Sequence, residues 1–380
     1  MILSPHSIPL SLYIHIPWCI QKCPYCDFNS HAVKEGIPEE NYVSSLLQDL
    51  DDNLNKLEAP IARPLTSIFF GGGTPSLFSP QAIERILEGV KQRFRLASEL
   101  EITLEANPGT IEQKRFQAYR SLGINRLSLG IQSLQDSKLK ALGRIHDRET
   151  AIRAVKAAQD SGFENFNLDL MYGLPEQTKA EALQDLEEAL QLQPAHLSWY
   201  QLTLEPNTAF YLNPPPLPED EAIWEMQVEG QALLLQTGFQ QYEVSAYHKK
   251  QACKHNLNYW QFGDYLGIGA GAHSKISNFQ EQKIYRHWQL KNPRAYLASK
   301  NKTADTRFLS PADLRLEFML NALRLTEGVS FQLFEERTGL DARLLELTLQ
   351  EARRKKLLEE DNLLLKPSAL GKRFLNDLIA

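Results

Sequence analysis

The sequence predicts an α/β fold, a partial (β/α)6 TIM-like barrel followed by a mainly helical, winged-helix-like C-terminal domain. Two observations in the first 240 residues indicate the barrel. Six short runs rich in β-formers end in turn residues, and helical patterns with apolar residues at a spacing of 3 to 4 lie between them. This alternation is typical of parallel β/α units with right-handed crossovers. A full barrel has eight units, so six units predict a partial one.

The predicted strands are each closed by glycine, proline, asparagine or serine. They cover residues 11–18, 67–70, 101–105, 126–131, 165–171 and 196–204. The predicted helices cover residues 38–57, 80–94, 111–122, 148–161 and 178–192, with helix starts at Ser79-Pro80 and Thr110-Ile111. Reactive groups of such barrels lie at the carboxyl ends of the strands. The polar residues after these strands are therefore expected to line one mouth.

The pattern changes after a proline-rich connector at residues 212–218. A helix at 219–237 and a strand at 240–247 precede a glycine-rich loop at 263–271. Helical patterns at 311–325, 330–338 and 342–356 are followed by a predicted hairpin at 357–366, an order that resembles a winged helix. We therefore predict a barrel over 1–240, a linking region over 241–305 and a C-terminal domain over 306–380.

Composition restricts the function classes. The chain has 380 residues and a net charge of −6, so it lacks the basic footprint of a nucleic-acid-binding protein. The basic run at 353–356 is balanced by nearby acidic residues, which favours a packing role for the C-terminal domain. The sequence has neither a secretory signal pattern nor an apolar run of membrane-spanning length. We expect a cytoplasmic protein, with peripheral membrane contact and oligomeric state left open.

Three of the four cysteines form a CxxxCxxC motif directly after the first predicted strand, at Cys19, Cys23 and Cys26. Three thiolates from one loop are suited to a [4Fe–4S] cluster, in which the fourth iron stays open for a substrate or cofactor. A disulfide framework is disfavoured in a long chain with few cysteines. A zinc site usually shows two CxxC pairs or added histidines, and the other cysteine, Cys253, is distant in sequence.

This motif, placed after the first strand, resembles that of the radical S-adenosylmethionine (SAM) superfamily. The resemblance implies a radical SAM barrel in which SAM chelates the open iron. Four more strings are similar to the branch that contains oxygen-independent coproporphyrinogen III oxidase (the dehydrogenase) and the haem chaperone HemW. They are YIHIPWC at 13–19, GGGTP at 71–75, LGRIH at 142–146 and DLMYGLP at 169–175. The resemblance extends from about residue 11 to the C-terminus.

Two features favour the HemW type within this branch. Ten residues precede the first predicted strand, and the cluster motif continues Cys26-Asp27-Phe28 instead of Cys-Gly-Cys. The string HNLNYW at 255–260 matches the HNxxYW signature of HemW-type haem binding. The sequence is thus identified as a member of the HemW family, which implies haem as ligand and apo-haemoproteins as acceptors, without dehydrogenase activity. The alternatives are the coproporphyrinogen III dehydrogenase and a radical enzyme acting on an unrelated substrate.

The resemblance also implies roles for individual residues. Cys19, Cys23 and Cys26 correspond to the cluster ligands. The residues at family positions around SAM are Tyr13, Tyr25, Gly72, Gly73, Thr74, Glu105, Gln132, Arg144 and Asp169.

Some of these positions allow more than one role. The Tyr25 backbone would contact the SAM adenine, or its ring would cover the cluster. Glu105 would bind a ribose hydroxyl or the SAM ammonium. Gln132, Arg144 and Asp169 would line the SAM pocket or a second SAM site, and Arg144 with Asp169 is alternatively an ion pair at the rim.

The haem motif comprises His255, Asn256, Tyr259 and Trp260. A neutral imidazole at His255 can bind haem iron axially, and the aromatic rings of Tyr259 and Trp260 can cover the macrocycle. Alternatively, His255 holds a loop through hydrogen bonds. Cys253 is either a thiolate ligand or a buried, inert thiol.

Overall fold

The computed structural model describes residues 2–56, 63–110, 113–361, 363–375 and 378. Residue 57 of the first predicted helix, the predicted helix start at Ile111 and residue 362 of the predicted hairpin lie outside these ranges.

The six predicted strands form the centre of one twelve-stranded sheet. They become β1, β4, β5, β6, β7 and β8, which are neighbours in this order and parallel throughout. The strands are β1 (Leu10–Ile16), β2 (Trp18–Cys19), β3 (His31–Ala32), β4 (Leu65–Gly72), β5 (Leu96–Ala106), β6 (Arg126–Gln132), β7 (Phe166–Tyr172), β8 (His196–Gln201), β9 (Gln240–Glu243), β10 (Ala246–His248), β11 (Asp264–Ile268), β12 (His273–Asn278), β13 (Lys283–Gln289), β14 (Thr303–Phe308), β15 (Val329–Ser330) and β16 (Leu364–Leu365). The sheet ends at β14 and β9, so the barrel is open, as six units predict.

Helices follow the parallel strands at the predicted places. They are α1 (Glu39–Lys56), α2 (Pro80–Arg93), α3 (Gln113–Ser121), α4 (Asp136–Ala141), α5 (Arg148–Asp160), α6 (Lys179–Gln191), α7 (Ala209–Leu212), α8 (Asp220–Gln236), α9 (Lys254–Trp260), α10 (Pro293–Ala298), α11 (Pro311–Ala322), α12 (Phe331–Thr338), α13 (Glu346–Arg354) and α14 (Ala369–Arg373). The Ser79 hydroxyl caps α2 by accepting from the Ala82 N–H, and Pro80 occupies the first turn.

The two faces of the sheet differ in polarity. In β1, Leu12 and Ile14 point outward into the main hydrophobic core, which the outer helices complete. Ser11 and Tyr13 alternate with them and face the concave side, where the Ser11 and Ser67 hydroxyls hydrogen bond at 2.7 Å. The concave face is therefore polar and available for ligands, whereas burial of the outer face stabilises the fold.

The prediction of a glycine-rich loop at 263–271 is wrong for the first half of this range. Residues 264–268 form β11, which pairs in parallel with β1 and continues the sheet into the antiparallel strands β12, β13 and β14. Glycine usually weakens a strand, but here a central position beside β1 supplies backbone partners, and Gly267 pairs with Tyr13. The division of the chain into domains stays a prediction.

The C-terminal residues have their own hydrophobic core, which includes Phe318 and Phe334. Helices α11, α12 and α13 are followed by a bridge between Leu358 and Pro367, and β15 pairs with β16. This agrees with the predicted helical, winged-helix-like character. Phe262, just after α9, packs into the same core, so the C-terminal helices support the interior of the barrel. Among the described residues, none of the helices combines the length and apolarity that crossing a bilayer requires.

Candidate functional site

The predicted cluster and SAM residues meet at the carboxyl ends of the parallel strands. A cavity of about 360 Å³ lies there. Its lining includes Cys19, Cys23, Cys26, Tyr25, Gly72, Gly73, Thr74, Glu105, Gln132, Arg144 and Asp169. Parallel strands place their carboxyl ends on one side of the sheet, which brings these distant residues together. Of the residues that the sequence places around SAM, Tyr13 lies elsewhere.

The three cysteines of the loop carry free, half-buried thiols. Cys26 Sγ lies 3.6 Å from Ser30 Oγ, and Cys23 Sγ lies 3.5 Å from a guanidinium nitrogen of Arg144. Burial raises the pKa of the Cys19 thiol. Three unbridged thiols lining one cavity are a soft donor set of the type that iron–sulfur clusters use, so the residues present fit such a group.

The glycine-rich turn after β4 packs directly on the cysteine segment. The Gly73 N–H donates to Ile16 O and the Thr74 N–H donates to Trp18 O, both at 2.7 Å. A Cβ at Gly73 would lie 2.6 Å from Trp18 O, so a side chain there would push the two backbones apart. Gly72 has a φ of +117°, which glycine adopts without strain. The turn therefore fixes the part of the cavity wall that lies beside the cysteine segment.

Two carboxyl groups stand on the inner face of this cavity. Glu105 Oε2 accepts the Gly72 N–H at 3.1 Å, and burial, followed by the nearby charge of Asp169, raises the pKa of Glu105 to about 8. Asp169 accepts hydrogen bonds from Ser128 at 3.0 Å and Asn167 at 2.8 Å. Burial raises the pKa of Asp169 as well. This end of the cavity is therefore suited to a cationic group.

Arg144 and Gln132 also line this cavity. The Arg144 guanidinium donates to Gly130 O at 2.7 Å. Arg144 and Asp169 thus have different hydrogen-bond partners, and the alternative of an ion pair between these two residues is wrong. A register shift in β6 and a φ of +69° direct the Gln132 side chain inward, where its Oε1 accepts from the Tyr200 hydroxyl at 2.7 Å. Strained backbone of this kind is common at ligand sites.

A second, larger cavity of about 780 Å³ adjoins the first. The two share Phe28, Gly72, Glu105 and Trp260 as lining residues. The walls of the larger cavity are aromatic, and basic side chains lie around it. Its lining includes Tyr13, Phe69, Tyr259, Phe262 and Tyr265 with Lys22, Lys275, Arg286 and Lys291. The Tyr13 hydroxyl hydrogen bonds to His15 Nδ1 at 2.7 Å.

The haem motif forms α9, which lies against the concave face of the sheet. His255 is 6% exposed and lines neither cavity. Its Nδ1 lies 3.1 Å from Glu101 Oε1, and its ring stacks on Phe69 with a centroid distance of 4.2 Å. Burial lowers the pKa of His255, although the neighbouring Glu101 carboxylate acts in the opposite direction. The His255 side chain therefore anchors α9 inside the barrel.

The remaining residues of the motif face the cavities. Asn256 lines the smaller cavity and donates to the Tyr242 hydroxyl at 3.0 Å. Tyr259 lines the larger cavity, and Trp260 lines both. Cys253 is fully buried and lines neither cavity, with Sγ 3.3 Å from Glu101 Oε1 and 3.0 Å from His255 Nδ1.

Sequence reasoning missed several residues of the site. Glu101, which holds α9, is a charged residue on the inner face of a predicted strand, and that position was a usable signal. Tyr200 also lay on a predicted strand. The basic and aromatic residues of β12 and β13 lie in the region after residue 263, for which the sequence predicts loop and linker. Their alternation, as in His273 and Lys275, is a strand pattern.

Comparison with known proteins gives consistent matches. A family profile for the radical SAM superfamily matches residues 13–189, and one for the HemN C-terminal domain matches residues 309–374. "Heme chaperone HemW" of Haemophilus influenzae is 50% identical over 99% of this chain and 98% of the relative. "Heme chaperone HemW" of Escherichia coli is 48% identical over 98% and 97%.

The fold also matches a solved structure. Coproporphyrinogen III oxidase (HemN) from Escherichia coli, described as a radical SAM enzyme, superposes with a TM-score of 0.81. The match covers 99% of this chain and 90% of that protein at 23% sequence identity, a level that establishes the shared fold. These matches confirm the predicted fold class and family.

Proposed function

The chain belongs to the HemW family of the radical SAM superfamily, and from that premise we propose that it is a haem chaperone that binds haem and passes it to apo-haemoproteins. The observation that carries this proposal is the pair of adjoining cavities. One is lined by three free cysteines and polar strand ends, and the other by aromatic and basic residues. A planar, apolar ligand with anionic groups fits the second cavity, whose volume lies in the usual range of ligand pockets, ~300–1,000 Å³.

Membership of the superfamily implies a [4Fe–4S] cluster and SAM. In this chain Cys19, Cys23 and Cys26 would hold the cluster, which supplies one-electron chemistry when bound. Their free thiols on one loop support the assignment. The need for reduced thiols also favours the cytoplasm as the location.

The SAM site in this proposal is the smaller cavity. Its lining residues Tyr25, Gly72, Gly73, Thr74, Glu105, Gln132, Arg144 and Asp169 would surround the ligand. The carboxyl groups of Glu105 and Asp169 suit the ammonium of SAM, because an opposite charge stabilises the ionised carboxylates. Tyr13 would act from the larger cavity, through its hydrogen bond to His15, whose Nε2 donates to the loop at Asn29 O at 2.9 Å.

The haem site in this proposal is the larger cavity. Tyr259 and Trp260 supply aromatic surface for the macrocycle, and Asn256 fixes the end of the motif beside the smaller cavity. His255 as axial ligand would require its imidazole to leave Glu101 and move into the cavity. Otherwise His255 contributes by holding Tyr259 and Trp260 in place.

The test is a haem titration and transfer assay on the anaerobically reconstituted full chain. We expect saturable binding of ferric haem at one equivalent, followed by transfer to apomyoglobin faster than from haem–albumin. Absence of saturable binding, or transfer no faster than from albumin, would contradict the proposal.

A second assay addresses the alternative enzyme. The reconstituted protein is incubated anaerobically with SAM, a reductant and coproporphyrinogen III. We expect no protoporphyrinogen IX, and its formation at many turnovers would identify a dehydrogenase instead.

A further inference from the structure

We propose that His273 is the axial ligand of haem iron in the larger cavity and that Lys291 binds a propionate of the same haem. This inference rests on the proposed haem cargo and goes beyond it by naming an iron ligand outside the HNxxYW motif. It starts from the position of His273 on β12, which is the second strand of the extension that follows α9.

The register of the sheet directs His273 into the cavity. His273 and Lys275 are two residues apart on β12, so their side chains share one face. Their cross-strand partners on β13 are Trp288 and Arg286. Of these four, His273, Lys275 and Arg286 line the larger cavity. This face of the extension thus lines the same cavity as Tyr259 and Trp260 of α9.

Among the histidines near this cavity, His273 is the one whose imidazole is available to bind a ligand. Both ring nitrogens of His15 are engaged, with the Tyr13 hydroxyl and Asn29 O. His255 is buried against Glu101. His273 is exposed, and within the described residues its ring nitrogens make no hydrogen bond. It can therefore bind iron without breaking an existing contact.

The surroundings of His273 favour the form that binds metal. Its ring stacks on Trp288 with a centroid distance of 5.9 Å and an angle of 20°, which limits its orientation. Partial burial, and then the positive charges of Lys291 and Arg286, lower the pKa of His273. A lower pKa favours the neutral imidazole, which is the form that binds iron.

The aromatic part of the cavity lining is suited to a porphyrin. Tyr259 and Trp260 provide aromatic surface, and Tyr259 packs edge-on against Tyr265 at a centroid distance of 4.8 Å. The Trp260 indole N–H is buried without a hydrogen-bond partner among the described residues, although Trp260 lines both cavities. An unpaired buried donor is costly, and a ligand acceptor would satisfy it.

The basic groups at the cavity differ in availability. Lys275 is buried and pairs with Asp264 at 2.8 Å, and Arg286 pairs with Glu317 at 2.7 Å. Lys22 donates to Phe28 O at 3.1 Å. Lys291 is exposed and has no carboxylate partner in the part of the chain that the structure describes. It is therefore the cation best placed to bind a propionate near His273.

The test compares ferric haem with iron-free protoporphyrin IX on the full-length protein. With haem, we expect His273→Ala to lose the spectrum of imidazole-ligated iron, to bind about tenfold more weakly, and to regain the spectrum with added imidazole. With the iron-free porphyrin, His273→Ala should bind like the wild type. Lys291→Ala should weaken both ligands.

The matched control is His287→Ala, on the neighbouring strand and the opposite face of the sheet. It should leave the haem spectrum unchanged. An unchanged spectrum in His273→Ala, or loss of iron ligation only in His255→Ala, would overturn the inference while leaving the chaperone proposal standing. Failure of the wild type to bind haem would instead contradict the proposed function itself.

Discussion

The Nδ1 atom of His255 lies 3.1 Å from Oε1 of Glu101, and this contact fastens α9 to β5 across 154 residues of sequence. Burial alone would raise the pKa of Glu101, but its hydrogen bond and charge interaction with His255, and then the charge of Arg126, lower it below its usual range. The carboxylate also accepts the backbone N–H groups of Lys254 and His255 at 3.1 Å. Glu101 is thus the buried acceptor on which the start of α9 depends.

The first prediction concerns this acceptor. Glu101→Ala should lower the free energy of unfolding by about 2–4 kcal/mol, because it leaves buried donors without their acceptor and removes a negative charge that Arg126 senses. Urea unfolding of the apo-protein measures this. Glu99→Gln is the matched control, because Glu99 lies two residues earlier on β5 with its side chain 85% exposed. Equal stabilities of the two variants would show that Glu101 does not hold α9.

The second prediction concerns the cysteines. Replacing Cys19, Cys23 or Cys26 by alanine should remove most of the iron and the visible absorbance after anaerobic reconstitution, because a cluster site with two thiolates is incomplete. Cys253→Ala should retain both, since its buried thiol lies outside the cavity. Iron analysis and absorption spectroscopy check this. A full cluster in any of the three loop variants would contradict the ligand assignment.

The third prediction concerns the pH dependence of stability. The pKa of Glu105 is about 8 in the folded protein and about 4.5 when unfolded, so folding takes up a proton between these values. Stability therefore falls as pH rises from 4.5 to 8. Glu105→Gln should reduce this fall and be more stable than the wild type at pH 8 by about 1 kcal/mol, since solvent in the cavity screens the effect.

Urea unfolding at pH 5 and pH 8 measures the slope of stability against pH. Glu99→Gln, on the same strand but exposed, should keep the wild-type slope. An identical slope in Glu105→Gln and the wild type would show that this carboxyl is ionised in the folded protein.

The fourth prediction concerns the wall of the larger cavity. Asp264 is fully buried and pairs with Lys275 at 2.8 Å and Arg63 at 2.9 Å. Asp264→Ala should cost about 3–5 kcal/mol, because two buried cations lose their counter-charge. Adding Lys275→Met should recover part of the loss, which a double-mutant cycle measures. Additive effects of the two changes would show that the ions are not coupled.

The parallel strands and their helices were predictable because local patterns specify them. Apolar and polar residues alternate in β1, and a proline follows Ser79 at the start of α2. Both signals lie within a few neighbouring residues. The predicted order of strands and helices placed Cys19, Glu105 and Asp169 at strand ends, and hence on one side of the sheet. Strand β11 was missed because its glycines resemble a loop, and its stability comes from pairing with β1, about 250 residues earlier.

By itself, the sequence determined the barrel, the family and the residues around the smaller cavity. The reason is that parallel strands place the motifs at their carboxyl ends on one side of the sheet. Only the tertiary structure decided that His255 faces Glu101 inside the barrel while His273 faces the larger cavity. The direction of a histidine side chain depends on the register of the sheet and on the buried charged groups with which it can pair. These contacts join residues that are far apart in sequence, so local sequence patterns do not predict them.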